Sequence, residues 1–200
     1  KLKKKISLKP KDLIIDIGSN DGTFLSFFSN KFNLVGVDPT IIKFSKYYRK
    51  DILQIPDFFS YEILKNKVKK KAKLITSIAM FYDLEDPIKF AKDIYSMLAD
   101  NGVWHLELSY MPSMIKNVSY DTICHEHLEY YSLTSLKFIL DKINMKIIDI
   151  EFNDINGGSF ALSVAKKESN YKEQSKIVNW LLKKEKILKI NEIKTHKNFF

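Results

Sequence analysis

The 200-residue chain has one cysteine, Cys124, and one arginine, Arg49, and none of its apolar runs approaches a membrane span. A lone cysteine excludes an internal disulfide and a cysteine-rich zinc site, and no metal is expected. The single cysteine makes a reducing cytoplasm the expected compartment; no signal-peptide pattern precedes the first strand candidate, and no membrane partner is expected. The net charge of +9 raises the question of nucleic acid. Arginine is the usual residue for bidentate reading of guanine or phosphate, and it is nearly absent. The lysines are scattered or form short runs (Lys3 to Lys5, Lys69 to Lys71) that read as solvated faces, so no nucleic-acid partner is expected. The chain opens on Lys1 rather than Met, close to its first strand candidate, and is read as a piece of a longer protein.

What is present is ordinary for a globular protein: 45% hydrophobic and 28% charged residues, in a length that suits one domain with a substantial core. No internal repeat is visible. Apolar runs at Leu13 to Ile17, Leu34 to Val37, Leu74 to Ile78 and Val103 to Leu108 read as buried parallel strands, with a weaker one at Ile52 to Ile55. Helices are predicted between them at Thr23 to Asn30, Ile41 to Lys50, Ser60 to Lys70 and Asp86 to Leu98, the last with Pro87 in its first turn. Alternation of this kind predicts an α/β fold: a doubly wound, mostly parallel sheet with helices on both faces. Tyr110 to Tyr130 breaks the rhythm, and Ser132 to Lys142 restores a helix. Lys146 to Phe152 and Ser159 to Ala165 form a C-terminal antiparallel pair, because Asn156-Gly157-Gly158 is too short for a crossover. Tyr171 to Ile193 reads as a Lys-rich helix, with an interruption allowed for, leaving the domain. The division is therefore 1–168 for the α/β domain and 169–200 for a truncated helical extension.

The loop Asp16-Ile17-Gly18-Ser19-Asn20-Asp21-Gly22 joins the first strand to the first helix, where doubly wound folds bind ligands. Gly18 and Gly22 permit a tight turn and close approach. Asn20 stands where a Gly-x-Gly-x-x-Gly dinucleotide loop has its second glycine. Two acidic residues suit a sulfonium and an amino group better than a pyrophosphate. A plain glycine turn is the alternative. Asp38, before Pro39 at the end of the second strand, can accept both ribose hydroxyls of an adenosine ligand. Asp57 could take an adenine amino group and Phe58 could cover the ring; equally, Asp57-Phe58-Phe59 is a helix cap followed by core aromatics. Together these residues resemble the class I S-adenosylmethionine (SAM)-dependent methyltransferases. The resemblance implies SAM as cofactor, with Asp16, Gly18, Ser19, Asn20 and Gly22 at its methionine end, Asp38 and Pro39 at the ribose, and Asp57 and Phe58 at the base.

Tyr120 to Tyr130 concentrates titratable groups. His125 and His127 could hold a metal, but partners are lacking and His-Glu-His is not the zincin spacing. A polar loop without chemistry is a second reading. The third is general acid/base work by His125 or His127 with Glu126 as neighbour, since histidine titrates near neutral pH. In an extended segment both rings point one way; in a turn, one of them faces the cleft.

The blocks DIGSNDGTFL (Asp16 to Leu25), GVDP (Gly36 to Pro39), Asp121 to Tyr130 and NGGSF (Asn156 to Phe160) resemble the C-methyltransferases of nucleotide-linked keto-deoxysugars. The resemblance implies His127 as the base that removes the proton beside the sugar ketone, with Glu126 as its acidic neighbour and His125 as the rival. Departures are Cys124, where the family often has Tyr, and Ala161, where it often has Arg. The family's N-terminal four-cysteine zinc module and C-terminal α/β domain have no counterpart in this chain. Alternatives are an O- or N-methyltransferase of another small molecule, or a non-catalytic SAM-binding module. Ala79-Met80-Phe81-Tyr82 stands where DNA adenine methyltransferases carry Asp/Asn-Pro-Pro-Tyr.

The charge reading is testable. Titration with duplex DNA should show weak binding that vanishes in moderate salt. Sequence-specific nanomolar binding at physiological salt would overturn it.

Overall fold

The structure, a computed structural model, describes Leu2 and residues 6–197. A seven-stranded sheet forms its centre, in the order β3-β2-β1-β4-β5-β7-β6. The strands are β1 (Leu13–Ile17), β2 (Asn33–Val37), β3 (Ile52–Ile55), β4 (Ala72–Ile78), β5 (Leu98–Ser109), β6 (Met145–Asn153) and β7 (Ser159–Lys166). β1 to β5 are mutually parallel, with Ile15 level with Val35 on one side and Ile75 on the other. β7 runs antiparallel to both of its neighbours, slotted between β5 and β6. The tight return before β7 uses left-handed backbone at Asn156 and Gly157. The expected doubly wound sheet with a C-terminal antiparallel pair is therefore the fold observed.

Every residue of β1 is buried, as a strand covered on both faces requires. Its alternate side chains feed two cores: Ile15 and Ile17 join Val35, Ile75 and Trp104 on one face, and Ile14 joins Leu25, Leu34 and Leu74 on the other. The helices are α1 (Thr23–Ser26), α2 (Ile41–Phe44), α3 (Tyr61–Lys67), α4 (Pro87–Met97), α5 (Met111–Asn117), α6 (Leu133–Lys142), α7 (Ser175–Ile187) and α8 (Ile193–Lys197). Ser60 caps α3, Asp86 caps α4 through the Lys89 N–H, and Ser132 and Ser135 form a capping box on α6. Among the described residues no helix is long and apolar enough to cross a membrane.

Several expectations are corrected. The Thr23 to Asn30 helix stops at Ser26 because the Arg49 guanidinium takes the carbonyls of Ser26 and Phe28 while pairing with Asp51. The Ile41 to Lys50 helix ends at Phe44, passes through a 3-10 turn at Ser45–Tyr47, and yields to Tyr48, which turns into the core. β5 starts earlier than Val103, with an irregular register between Ala72 and Leu74 of its partner. The irregular Tyr110 to Tyr130 segment contains α5 and a 3-10 turn at Tyr120–Thr122. The Lys-rich segment is interrupted after Ile187, and α7 lies against the domain rather than leaving it, with Val178 and Leu181 in the main core.

The slot that holds Tyr48 needs two glycines. A Cβ on Gly22 or on Gly36 would sit 2.8 Å from the Tyr48 ring, and Gly22 has φ +78°. Gly22→Ala should therefore destabilise the domain by roughly 2–4 kcal/mol, summing left-handed strain and overpacking. Urea unfolding measures this, and an unchanged midpoint would show that the slot yields.

Candidate active site

The strands β1 to β4 end on one edge of the sheet, and their loops build the site. Asp16 closes β1 with a side chain only 3% exposed, accepting a 2.5 Å hydrogen bond from the Thr76 hydroxyl of β4. Burial pushes its carboxyl up to about 7; the Thr76 bond works against this and the nearby Asp38 charge adds to it. Gly18 turns left-handed against the Met80 side chain, and Asn20 is left-handed too. The Asn20 N–H donates to Asp38 Oδ2 at 2.9 Å, which ties the loop to the end of β2. Ser19 is buried, its hydroxyl 2.7 Å from that of Tyr48, and the Tyr48 hydroxyl also reaches the Asn20 carbonyl at 3.0 Å. Burial raises the Tyr48 hydroxyl to about 12, and nearby Asp16, Asp38 and Asp21 contribute to the rise.

Asp38 Oδ1 accepts the Thr40 N–H at 2.7 Å and the Thr40 hydroxyl at 2.6 Å. With Oδ2 bound once, one carboxylate lone pair stays open, and rotation of the Thr40 hydroxyl releases a second. That capacity fits a ribose diol, and two carboxylates that pair with no lysine or arginine among the described residues fit a positively charged ligand. Pro39 is exposed beside them. At the end of β3 the two readings of the aromatic pair divide. Phe59 packs on Phe90 with centroids 5.0 Å apart, while Phe58 stands 75% exposed and Asp57 is exposed beside it. Ser60, not Asp57, caps the helix.

The second cluster lies after β4 and α5. The chain turns at His125 and Glu126, leaving both exposed, and His127 folds back half-buried with its N–H on the Cys124 carbonyl at 3.3 Å. Its Nδ1 lies 2.8 Å from the Thr122 carbonyl oxygen. Its ring packs on Tyr82 with centroids 4.2 Å apart. Asp83 is raised by burial; His127 lowers it and Glu126 raises it, so the three groups share one electrostatic neighbourhood. Between the clusters, Ala79 at the end of β4 holds a left-handed φ of 53°, costly for a residue with a Cβ, and donates its N–H to the Glu107 carbonyl. Met80, Tyr82 and Asp83 follow the Leu74 to Ile78 run directly, but no motif in the sequence marked them or Thr76 as site residues. The metal reading finds no third ligand: among the described residues no three His, Cys, Asp or Glu side chains converge. Ala161 lies elsewhere, in register between Glu107 of β5 and Glu151 of β6. It lines a cavity of about 580 Å³ with Phe24, His105 and Phe152 on the α1 face.

The family model for a methyltransferase domain matches residues 1–150. The chain belongs to this family. It is a SAM-dependent methyltransferase domain of class I, and doubly wound folds of this kind bind ligands at the carboxyl ends of their strands. The domain is 27% identical over 180 residues to the C-methyltransferase NovU of Streptomyces niveus, a match covering 88% of this chain and 43% of NovU. It thus spans less than half the length of that relative. In fold it is similar to a methyltransferase solved in complex with the Haloferax volcanii Trm112 activator (TM-score 0.64, 12% identity, 82% of this chain and 86% of that one). It is also similar to the plantazolicin methyltransferase BpumL, solved with a triazolic substrate analogue and S-adenosylhomocysteine (TM-score 0.60, 17% identity, 82% and 80%).

Asp16 makes a signed prediction. Its folded value near 7 lies above the ordinary carboxylate value of 3.8. Its burial costs nothing below about pH 3.8, costs progressively more stability as pH rises, and levels off above about 7. Asp16→Asn should raise stability at pH 8 by roughly 1–4 kcal/mol, and the gain should vanish by pH 4. Chemical denaturation at the two pH values measures it; a pH-independent difference would refute the burial account.

Proposed function

We propose that this domain transfers the SAM methyl group to a carbon α to the ketone of a nucleotide-linked deoxysugar, in the cytoplasm, with His127 as the base. One observation carries the reading. A carbonyl oxygen can only accept, so the 2.8 Å contact to Thr122 places the imidazole proton on Nδ1. In the neutral imidazole Nε2 then bears the lone pair, the form a general base requires. The Tyr82 ring against the imidazole limits its rotation. Nε2 takes the α-proton, with Asp83 in the same electrostatic neighbourhood. Glu126, exposed beside it, is the second acidic neighbour, and exposed His125 contributes to substrate contact rather than proton transfer.

Bound SAM supplies an electrophilic methyl carbon on a sulfonium, and its departure leaves a neutral thioether. Asp38 holds the ribose; Gly18, Ser19, Asn20 and Gly22, with Asp16 beneath them, shape the methionine end. Phe58 and Asp57 cover and read the adenine, and Pro39 borders the ribose. The similarity to a C-methyltransferase supports a carbon acceptor.

The test uses the full-length protein and a nucleotide-linked keto-deoxysugar. His127→Ala should cost about 10²–10⁴-fold in methyl transfer and leave SAM affinity unchanged. It should also suppress exchange of the substrate's α-hydrogen into deuterated water. Full turnover by His127→Ala would end the proposal. Asp38→Ala should weaken SAM binding by roughly 1.5–3 kcal/mol by calorimetry, and unchanged affinity would remove Asp38 from the cofactor site.

A further inference from the structure

The most deeply buried carboxylate outside the site is Glu185, in the Lys-rich segment after the sheet. Val178, Leu181 and Glu185 form the buried stripe of α7, so a glutamate stands where helical spacing calls for an apolar residue. Its exposure is 0%. Its carboxylate accepts four hydrogen bonds: the Tyr110 hydroxyl at 2.7 Å, the Leu133 N–H at 2.7 Å, the Thr134 N–H at 2.8 Å and the Thr134 hydroxyl at 2.6 Å. Leu133 and Thr134 open α6, whose first N–H groups have no partner within their own helix. Ser132 takes the third, that of Ser135. The positive end of α6 supports the buried charge, which among the described residues has no ion-pair partner.

The three elements it joins are informative. Tyr110 follows β5 and precedes α5; Leu133 begins α6. Between them runs the whole excursion that carries His125, Glu126 and His127. Its neck is closed once by the backbone, Met111 N–H to the Tyr131 carbonyl at 2.9 Å, and again by the Glu185 carboxylate. Tyr110 is itself wedged against Phe160 and Phe152, so one end of the clamp is anchored in the β6–β7 pair.

We infer that Glu185 is a positioning residue for the 111–132 segment: it pins both ends of the excursion to α7 and so sets where His127 stands. Residues after the sheet thereby belong to the working site. Loss of the clamp leaves the cofactor loop at 16–22 untouched, because no Glu185 contact reaches it. The kinetic part of this inference rests on His127 acting as proposed above; the clamp itself does not.

Glu185→Gln keeps the shape but sets an amide NH₂ against N–H donors, and Tyr110→Phe removes one bond of the four. Both are made in the full-length protein. Glu185→Gln should speed amide hydrogen exchange across 118–132 by about tenfold or more, the loss expected for hydrogen bonds to a charged group, with exchange across 13–38 unchanged. Tyr110→Phe should do the same to a smaller degree, and it decides the matter if Glu185→Gln fails to fold. SAM affinity should stay within about twofold, and kcat should fall about tenfold with a smaller change in KM for the keto sugar. Equal acceleration of exchange in both regions would make Glu185 a general stability residue and overturn the inference, as would unchanged exchange at 118–132. If exchange behaves as expected while the native protein transfers no methyl group to any keto sugar, the proposed function fails and the clamp stands.

Discussion

The arrangement depends most on the placement of the Tyr48 ring. It lies against two positions that have no Cβ, Gly22 at the start of α1 and Gly36 in β2. Its hydroxyl reaches Ser19 and the Asn20 carbonyl. One side chain therefore joins the β1 loop, the β2 strand and the segment after α2, and the left-handed turns of the loop are held from beneath. The shortness of α2 follows, since a continued helix would carry residue 48 away from the slot. The Asn20 N–H then meets Asp38 at a fixed place, and the two acidic strand ends are brought close enough to share one ligand.

That closeness has an electrostatic cost. Asp16 is buried beside another carboxylate, and the Thr76 bond offsets only part of the penalty. A chain with net charge +9 keeps this edge acidic at β1 and β2, where no lysine or arginine pairs with Asp16 or Asp38 among the described residues. Sites matched to a charged ligand commonly give up stability in its absence.

The second cluster is governed by the same economy of anchors. His127 belongs to no helix or strand; its tautomer comes from one carbonyl, its tilt from Tyr82, and the ends of its segment from Glu185 and the β6–β7 pair. A loop so tethered keeps a defined geometry without regular secondary structure. The turn at His125 and Glu126 explains why two histidines so near in sequence differ in exposure.

The strands, their parallel order and the loop with its acidic ends were legible because each is written in contiguous residues: apolar runs of strand length, glycines where φ turns positive, a carboxylate at a strand end. So was the concentration of titratable groups around His127, and the resemblance it carries. Helix ends were less legible. α1 stops because Arg49, far along the chain, takes the carbonyl of its last residue, Ser26, and that of Phe28 beyond it, and α2 stops because Tyr48 has a slot to fill. Which of Phe58 and Phe59 enters the core, and which of His125 and His127 turns inward, also depended on neighbours from other elements. Tyr82, Asp83 and Glu185 gave no local signal of a role in the site. By itself the sequence determined the elements and the chemistry available at each strand end, since these rest on propensity and on residue type. Only the tertiary structure decided which of those groups meet, because hydrogen bonds and buried charges are settled between residues dozens of positions apart.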